Sequence, residues 1–340
     1  MRTGLDRLLA DPATLGSRRF GILAHGASVS RDLVPIHLAL GATGAMPAAL
    51  YGPEHGYYGV EQDMVASADE VDPWTGAPIA SLYGEEAVSL RPRPDAFDGL
   101  DLLLIDLQDV GTRYYTYVAT AIWAAEVALA AGVEVWILDR PNPLGGVVVE
   151  GGLRKPGFES FVGAFETPVR HGLTLGELTA LEARRRRWPD GWTVWRMEGW
   201  SRNQLWPELD RPWIAPSPNM PTFETALVYP GACLIEGTTL SEGRGTTRPF
   251  ELIGAPGDPL ALAERIMDDQ VPGVTVVPTY FKPQFQKHAG TTCGGVELVV
   301  TDPTTFPAYR FGVAVLEALW SESAATDGGA SFWRPDPYEF

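Results

Sequence analysis

With 340 residues, 45% of them hydrophobic and 10% aromatic, the chain has material for sizeable cores and for about two domains, which excludes a disordered chain. A net charge of −17 repels nucleic acid and anionic membrane, so neither is expected as a partner, and an anionic ligand needs a local cationic pocket. Two cysteines, Cys233 and Cys293, exclude a disulfide framework and a CxxC metal site and read as buried thiols.

The opening MRTGLDRLLADPATLG has the leucine spacing of a short amphipathic helix. It has no apolar run long enough for a signal peptide, so the expected location is cytoplasmic. Four short apolar runs follow, each leading into a polar loop. FGILAH (20–25) runs into GASVSRD, and AMPAALY (45–51) into GPEHG; LDLLLIDLQ (100–108) runs into DVGTR, and VEVWILDR (133–140) into PNPLGG. Segment 115–131 is apolar nearly all round, as in a helix covered on several sides. The longest apolar stretch carries Glu126 and Glu134 and breaks at Gly132, so it reads as helix then strand, not a membrane span. Apolar strands alternating with helices predict a parallel sheet with helices on its faces. The Arg184–Arg187 block reads as the cationic end of a helix. Beyond it, strands near 193–198, 274–281 and 295–300, with helices near 258–268 and 306–320, predict a smaller α/β domain. The expected division is 1–170 and 171–340, with the boundary in 165–190.

In open parallel sheets, ligands bind at the carboxyl ends of the strands. His25, Glu54, His55, Asp106, Gln108, Asp109, Asp139, Arg140 and Asn142 all fall on that edge. One such cluster is explained by turn chemistry alone; four in register favour a site. Two later loops stand out: APSPNMPT (215–222), stiffened by prolines around Asn219, and EGTTLSEGRGTTRPF (236–250), which sets Glu236, Glu242, Arg244 and Arg248 among Gly and Thr.

The five histidines form no HxH or HExxH pair, so no metal is expected. There is no GxxxxGK[ST], no GxGxxG after the first strand, no GxSxG and no cofactor motif, so no cofactor is expected. Carboxylates remain. Paired acids are what glycoside hydrolysis uses, one of them protonating the leaving oxygen. Glu54, between Pro53 and Gly56 and followed by Tyr57 and Tyr58, is the best candidate for that acid; its bland alternative is a solvated turn residue. Glu61 and Asp63, further along, read as loop or helix-start residues.

Several long motifs in one order carry a resemblance: GPEHGYYG, DLQDVGTRYYTYVAT, DRPNPLGG, APSPNMPT, YPGACLIEGTTLSEGRGTTRPFE, FKPQFQKHAGTTCGGVELVVTD and WRPDPYEF. From about residue 4 to residue 340 the chain resembles the NamZ-type exo-β-N-acetylmuramidases, a glycoside hydrolase family formerly catalogued as a domain of unknown function. The resemblance implies a Rossmann-like parallel sheet domain followed by a smaller α/β domain, with the active site in the cleft between them. It implies release of terminal non-reducing N-acetylmuramic acid from peptidoglycan fragments such as MurNAc-GlcNAc, in cell-wall turnover and recycling. It places the catalytic glutamate of GPEHG at Glu54. As cleft lining it implies His55, Asp106, Gln108, Arg113, Tyr114, Asn142, Asn219, Glu236, Glu242 and Arg244. Two departures stand out: AHGAS replaces the family's Thr-Asn-Gln-type turn, putting His25 where an amide is usual, and the chain stops at Phe340 where the family normally continues.

On that reading, Asp106 or Glu242 is the expected second catalytic carboxylate, acting directly or orienting the substrate's acetamide for attack on the anomeric carbon. Arg113, Arg244 and Arg248 are expected at the lactyl carboxylate of muramic acid or, equally, braced by Glu236 and Glu242. Of Tyr57 and Tyr58 one is expected at substrate, with Tyr58 taken as that one, and one packed inside; Tyr115 and Tyr117 also fit the start of the buried helix. The competing readings are a non-catalytic muropeptide-binding protein and a metal-dependent muropeptide amidase. Oligomeric state is not legible.

Overall fold

A computed structural model describes residues 1–61, 70–84, 87–267, 271–327 and 332–334. Asp63 and the closing PDPYEF lie outside the described residues. By contacts the chain divides into two units. The first holds Met1–Val148, Lys155–Glu166 and Gly172–Pro218; the second holds Val149–Arg154, Thr167–His171 and Asn219–Phe340.

The first unit begins with α1 (Gly4–Ala10), the expected short helix. Thr3 caps it through a reciprocal box with Asp6, and Leu5 and Leu8 turn into the core. The elements that follow are β1 (Phe20–Ala24), α2 (Ile36–Gly41), β2 (Ala49–Gly52), β3 (Glu70–Val71), β4 (Pro78–Ser81) and β5 (Leu102–Asp106). They continue with α3 (Tyr117–Ala130), β6 (Glu134–Leu138), α4 (Leu175–Arg186) and β7 (Trp192–Trp195). The strands form one sheet in the order β3-β4-β2-β1-β5-β6-β7, parallel except for the edge pair β3–β4.

The apolar runs explain this arrangement. β1 and β5 are buried along their whole length, as strands covered on both faces must be. Phe20, Ile22, Leu50, Leu102, Leu104 and Leu138 share one core with Leu5 and Leu8. Helix α3 buries residues on almost every side, as its uniform apolarity predicts. The Arg184–Arg187 block closes α4: Arg187 takes a left-handed cap, while Arg185 and Arg186 bond to Glu182.

One expectation shifts. The strand near 193–198 belongs to the first sheet as β7, paired with β6, and the chain passes for the last time from the first unit to the second at Pro218–Asn219, after Val149–Arg154 and Thr167–His171 have already joined the second. The physical reason is that α4 crosses back to lay β7 parallel beside β6, completing the sheet before the chain leaves it.

The second unit holds α5 (Phe223–Ala232), β8 (Leu252–Ala255), α6 (Pro259–Met267), β9 (Val274–Phe281), β10 (Cys293–Val300) and α7 (Ala308–Asp327). Its three strands run β8-β10-β9, all antiparallel. Cys233 and Cys293 are buried and unbridged. Helices α5 and α7 meet at two glycines: a Cβ on Gly312 would sit 2.5 Å from the Cα of Gly231. Gly312→Ala is therefore expected to destabilise the protein by about 2 kcal/mol, because forcing two packed backbones apart outweighs the helix-propensity gain of about 1 kcal/mol. A urea midpoint equal to or above the wild-type value would contradict it. Among the described residues, no helix is long and apolar enough to cross a membrane.

Candidate active site

The strand order of the first sheet turns at its centre. From β1 the chain steps outward through β2 to β4, then returns to place β5 on β1's other side. That reversal is a topological switch point, where the loops after β1 and β5 diverge. His25 follows β1, Gln108 and Asp109 follow β5, and Glu54 and His55 follow the neighbouring β2.

The loop after β2 is built under constraint. It folds back so tightly that a Cβ on Gly52 would lie 2.7 Å from the carbonyl carbon of Gly56. His55 is left-handed at φ 71, an uncommon state for a side-chain-bearing residue and one concentrated at functional sites. Its Nδ1 lies 3.0 Å from the carbonyl oxygen of Glu61, which can only accept, so Nδ1 carries the proton. The loop presents Glu54, half-buried, with Oε2 accepting the Thr116 hydroxyl at 2.6 Å. Under it lies Tyr117, whose hydroxyl is 2.8 Å from the Pro216 carbonyl oxygen and 3.3 Å from that of Glu54. The Tyr117 ring packs between Tyr115 and His25, with centroids 4.6 and 4.9 Å away. Burial pushes both phenols up, and the charge of Glu54 adds to this.

His25, expected at substrate, is buried just after β1. The backbone N–H of Gln108 lies 2.8 Å from Nε2 and that of Ala27 lies 3.0 Å from Nδ1, and a neutral imidazole accepts from one of the two. Burial holds its pKa well below the ordinary range, so the ring stays neutral. Asp106, expected as a catalytic carboxylate, is fully buried and closed into a bidentate pair with Arg140, at 2.5 and 2.7 Å. Burial pushes its carboxyl up while Arg140 pulls it down. With both oxygens engaged and no exposed surface, Asp106 braces β5 against the loop after β6. Gln108 and Asn142 are braces as well. The Gln108 amide donates to the carbonyls of Asp109 and Pro141, and Asn142 ties Leu173 to Leu144.

Tyr57 and Tyr58 are both engaged behind the loop. The Tyr57 hydroxyl meets His37 Nδ1 at 2.9 Å, and the Tyr58 hydroxyl donates to Asp72. The hydroxyl of Tyr58 is thus taken up by the edge hairpin and not offered to substrate. Tyr114 stays half-exposed, with Arg113 lying 5.7 Å from its ring centroid.

Asn219, Glu236, Glu242, Arg244 and Arg248 belong to the second unit. There Arg244 grips Glu236 Oε1 through Nε and Nη2, at 2.7 and 2.6 Å, and Cys233 donates to the other oxygen. Glu242 is 1% exposed and pairs with Lys287 at 2.6 Å, so the expected free second carboxylate is instead half of a buried ion pair. Burial and the neighbouring Glu236 push its carboxyl up, with Lys287 and Arg244 opposing. Lys287 also donates to the carbonyls of Ile235 and Thr238, both at 3.1 Å, which stitches the loop together. Arg248 is paired to Glu251 at 2.7 Å and also to Glu297. For Arg244 and Arg248 the bracing role is the one the geometry displays. Asn219 is buried at the start of this unit.

Sequence reasoning did not single out Thr116, and it did not pair Tyr117 with Glu54. Both lie in the motif DLQDVGTRYYTYVAT, which marks the family but not which of its side chains meets the GPEHG loop. It also left Lys287 unassigned, since a lysine 45 residues from Glu242 has no local pattern to betray the pair.

A parallel sheet carrying ionisable loops at its carboxyl edge, with a glutamate held by a buried hydroxyl, is the architecture of an α/β enzyme. Residues 20–224 match the N-terminal domain of exo-β-N-acetylmuramidase NamZ, and residues 227–333 match its C-terminal domain. Over 322 residues the chain is 41% identical to the peptidoglycan β-N-acetylmuramidase NamZ of Bacillus subtilis strain 168, spanning 94% of this chain and 77% of that protein. Two DUF1343 family crystal structures from Bacteroides fragilis NCTC 9343 share the fold. One has a TM-score of 0.86 at 30% identity, covering 95% of this chain and 83% of that one. The other has a TM-score of 0.73 at 27% identity, covering 98% and 86%. The chain belongs to the exo-β-N-acetylmuramidase NamZ family, and so to the glycosidases.

Proposed function

We propose that this protein removes terminal non-reducing β-N-acetylmuramic acid from peptidoglycan fragments such as MurNAc-GlcNAc, with Glu54 as general acid. The carrying observation is the placement of Glu54 within the family-matched span, at a strand end beside the switch point, with one oxygen held by Thr116. As the bond from the anomeric carbon to the glycosidic oxygen breaks, its electron pair stays on that oxygen, which takes the proton of Glu54. A water oxygen then bonds to the anomeric carbon and gives up a proton, and the carboxyl is restored. One glycosidic bond and one water become two hydroxyls.

Muramic acid differs from N-acetylglucosamine in its lactyl carboxylate, which a planar guanidinium matches. We assign that contact to Arg113. It stands half-exposed on the loop that carries Thr116. Arg113→Ala is expected to cost roughly 10- to 100-fold in kcat/KM on a chromogenic β-MurNAc glycoside and little on its β-GlcNAc analogue. Equal losses on both would remove Arg113 from lactyl recognition. The overall reading is tested by incubating the protein with MurNAc-GlcNAc and following products by mass; binding without cleavage would defeat it.

A further inference from the structure

Among the described residues, four threonines stand at the N-termini of helices, and three do what threonine usually does there. Thr3, Thr174 and Thr222 have extended backbones, and each side-chain oxygen accepts the N–H three residues on, before α1, α4 and α5. Thr116, before α3, departs from the pattern. Its backbone is already helical, at φ −70 and ψ −13, and its side chain makes no capping bond. The hydroxyl instead reaches across 62 residues of sequence to Glu54 Oε2, at 2.6 Å. Forgoing a threonine cap weakens the start of a helix. Departures from local rules of this kind gather at functional sites.

We infer that Thr116 is the positioning residue of the general acid: its hydroxyl holds Glu54 Oε2 as an acceptor, so that Oε1 is the oxygen carrying the transferable proton. This rests on the reading of Glu54 as the acid. A protonated carboxyl has one carbonyl-like oxygen and one hydroxyl, and a donor anchored on one of them selects which is which. The surroundings keep that donor in place. Thr116 is 8% exposed, it begins the most deeply buried helix of the sheet, and the next residue, Tyr117, is pinned by the Pro216 carbonyl. The hydroxyl also bonds the carboxylate left after proton transfer, and more strongly than the neutral acid, so it favours the donation.

The distinguishing readout is dependence on the leaving group. A phenol of high acidity departs without help, whereas a sugar alcohol needs the proton. Thr116→Val keeps the shape and removes the donor; Thr116→Ser keeps the donor. Thr116→Val is expected to lower kcat on MurNAc-GlcNAc by about tenfold with KM nearly unchanged. On an aryl β-MurNAc glycoside with a strongly acidic phenol the loss should stay within about twofold, giving a steeper dependence of rate on leaving-group acidity. Thr116→Ser should restore both rates. Uniform slowing of every substrate, or no slowing, would overturn the inference, and circular dichroism of each variant identifies losses due to misfolding. Glu54→Gln, measured on the same series, separates the two claims. If it leaves the leaving-group dependence flat, the assignment of Glu54 fails; if it steepens it while Thr116→Val does not, only the role of Thr116 fails.

Discussion

Glu54→Gln is expected to abolish release of N-acetylmuramic acid from MurNAc-GlcNAc, by roughly 10²- to 10⁴-fold, the usual contribution of a positioned general acid. The substitution is mild for the fold. The side-chain amide keeps an oxygen that can accept the Thr116 hydroxyl, and the loop's tight turn depends on Gly52 and Gly56, which are untouched. Calorimetric binding of the disaccharide should therefore survive with its affinity nearly intact. Loss of turnover with retained binding separates chemistry from recognition, because an amide offers no transferable proton at ordinary pH. A Glu54→Gln protein that still cleaves MurNAc-GlcNAc at the wild-type rate would move the acid elsewhere. The result also distinguishes an enzyme from a muropeptide-binding protein, whose wild-type form would bind and not cleave.

Asp106→Asn is expected to destabilise the protein by about 3–5 kcal/mol, because it leaves the buried Arg140 guanidinium without its counter-charge. Arg140 is 3% exposed and spends Nε and Nη2 on the two Asp106 oxygens, with a further bond from Nη2 to the Val29 carbonyl at 3.0 Å. An asparagine offers one acceptor and no charge, so the cation keeps its desolvation cost and loses most of its compensation. Urea unfolding should show the drop directly. The double variant Asp106→Leu with Arg140→Met should recover much of it, since removing both charges removes the desolvation cost as well. The activity of Asp106→Asn, corrected for the folded fraction, should stay near wild type. A stable but inactive Asp106→Asn protein would return Asp106 to the catalytic set.

The contrast between these two acids shows how much of the site was legible before folding. Both sit at strand ends, both lie in specific motifs, and both are carboxylates within one edge of one sheet. Sequence pattern puts both at the site because it reports which edge a residue occupies and not what its side chain touches. Arg140, which decides the fate of Asp106, lies 34 residues away in the loop after the next strand. Thr116, which decides the setting of Glu54, lies 62 residues away. The same blindness covers Lys287 and Glu242 in the second unit. Tyr57 and Tyr58 show it at short range: one was expected at substrate and one packed, and the partners of their hydroxyls, His37 and Asp72, had no signal in the sequence.

Periodicity, apolar runs and turn residues determined much before any coordinates: the parallel sheet, the buried helix α3, the short N-terminal helix, the cationic end of α4 and the edge on which the ionisable loops gather. These follow from local chemistry, since apolar side chains must be buried and the chain must turn where glycine, proline and polar residues allow it. Long motifs in a fixed order added the family. Tertiary packing decided the rest: which unit β7 joins, which charges cancel inside the protein, and which threonine leaves its helix cap for a carboxylate. Those outcomes depend on distances between residues far apart in sequence. A hydrogen bond or ion pair exists only within about 3–4 Å, and only the folded chain brings such groups that close.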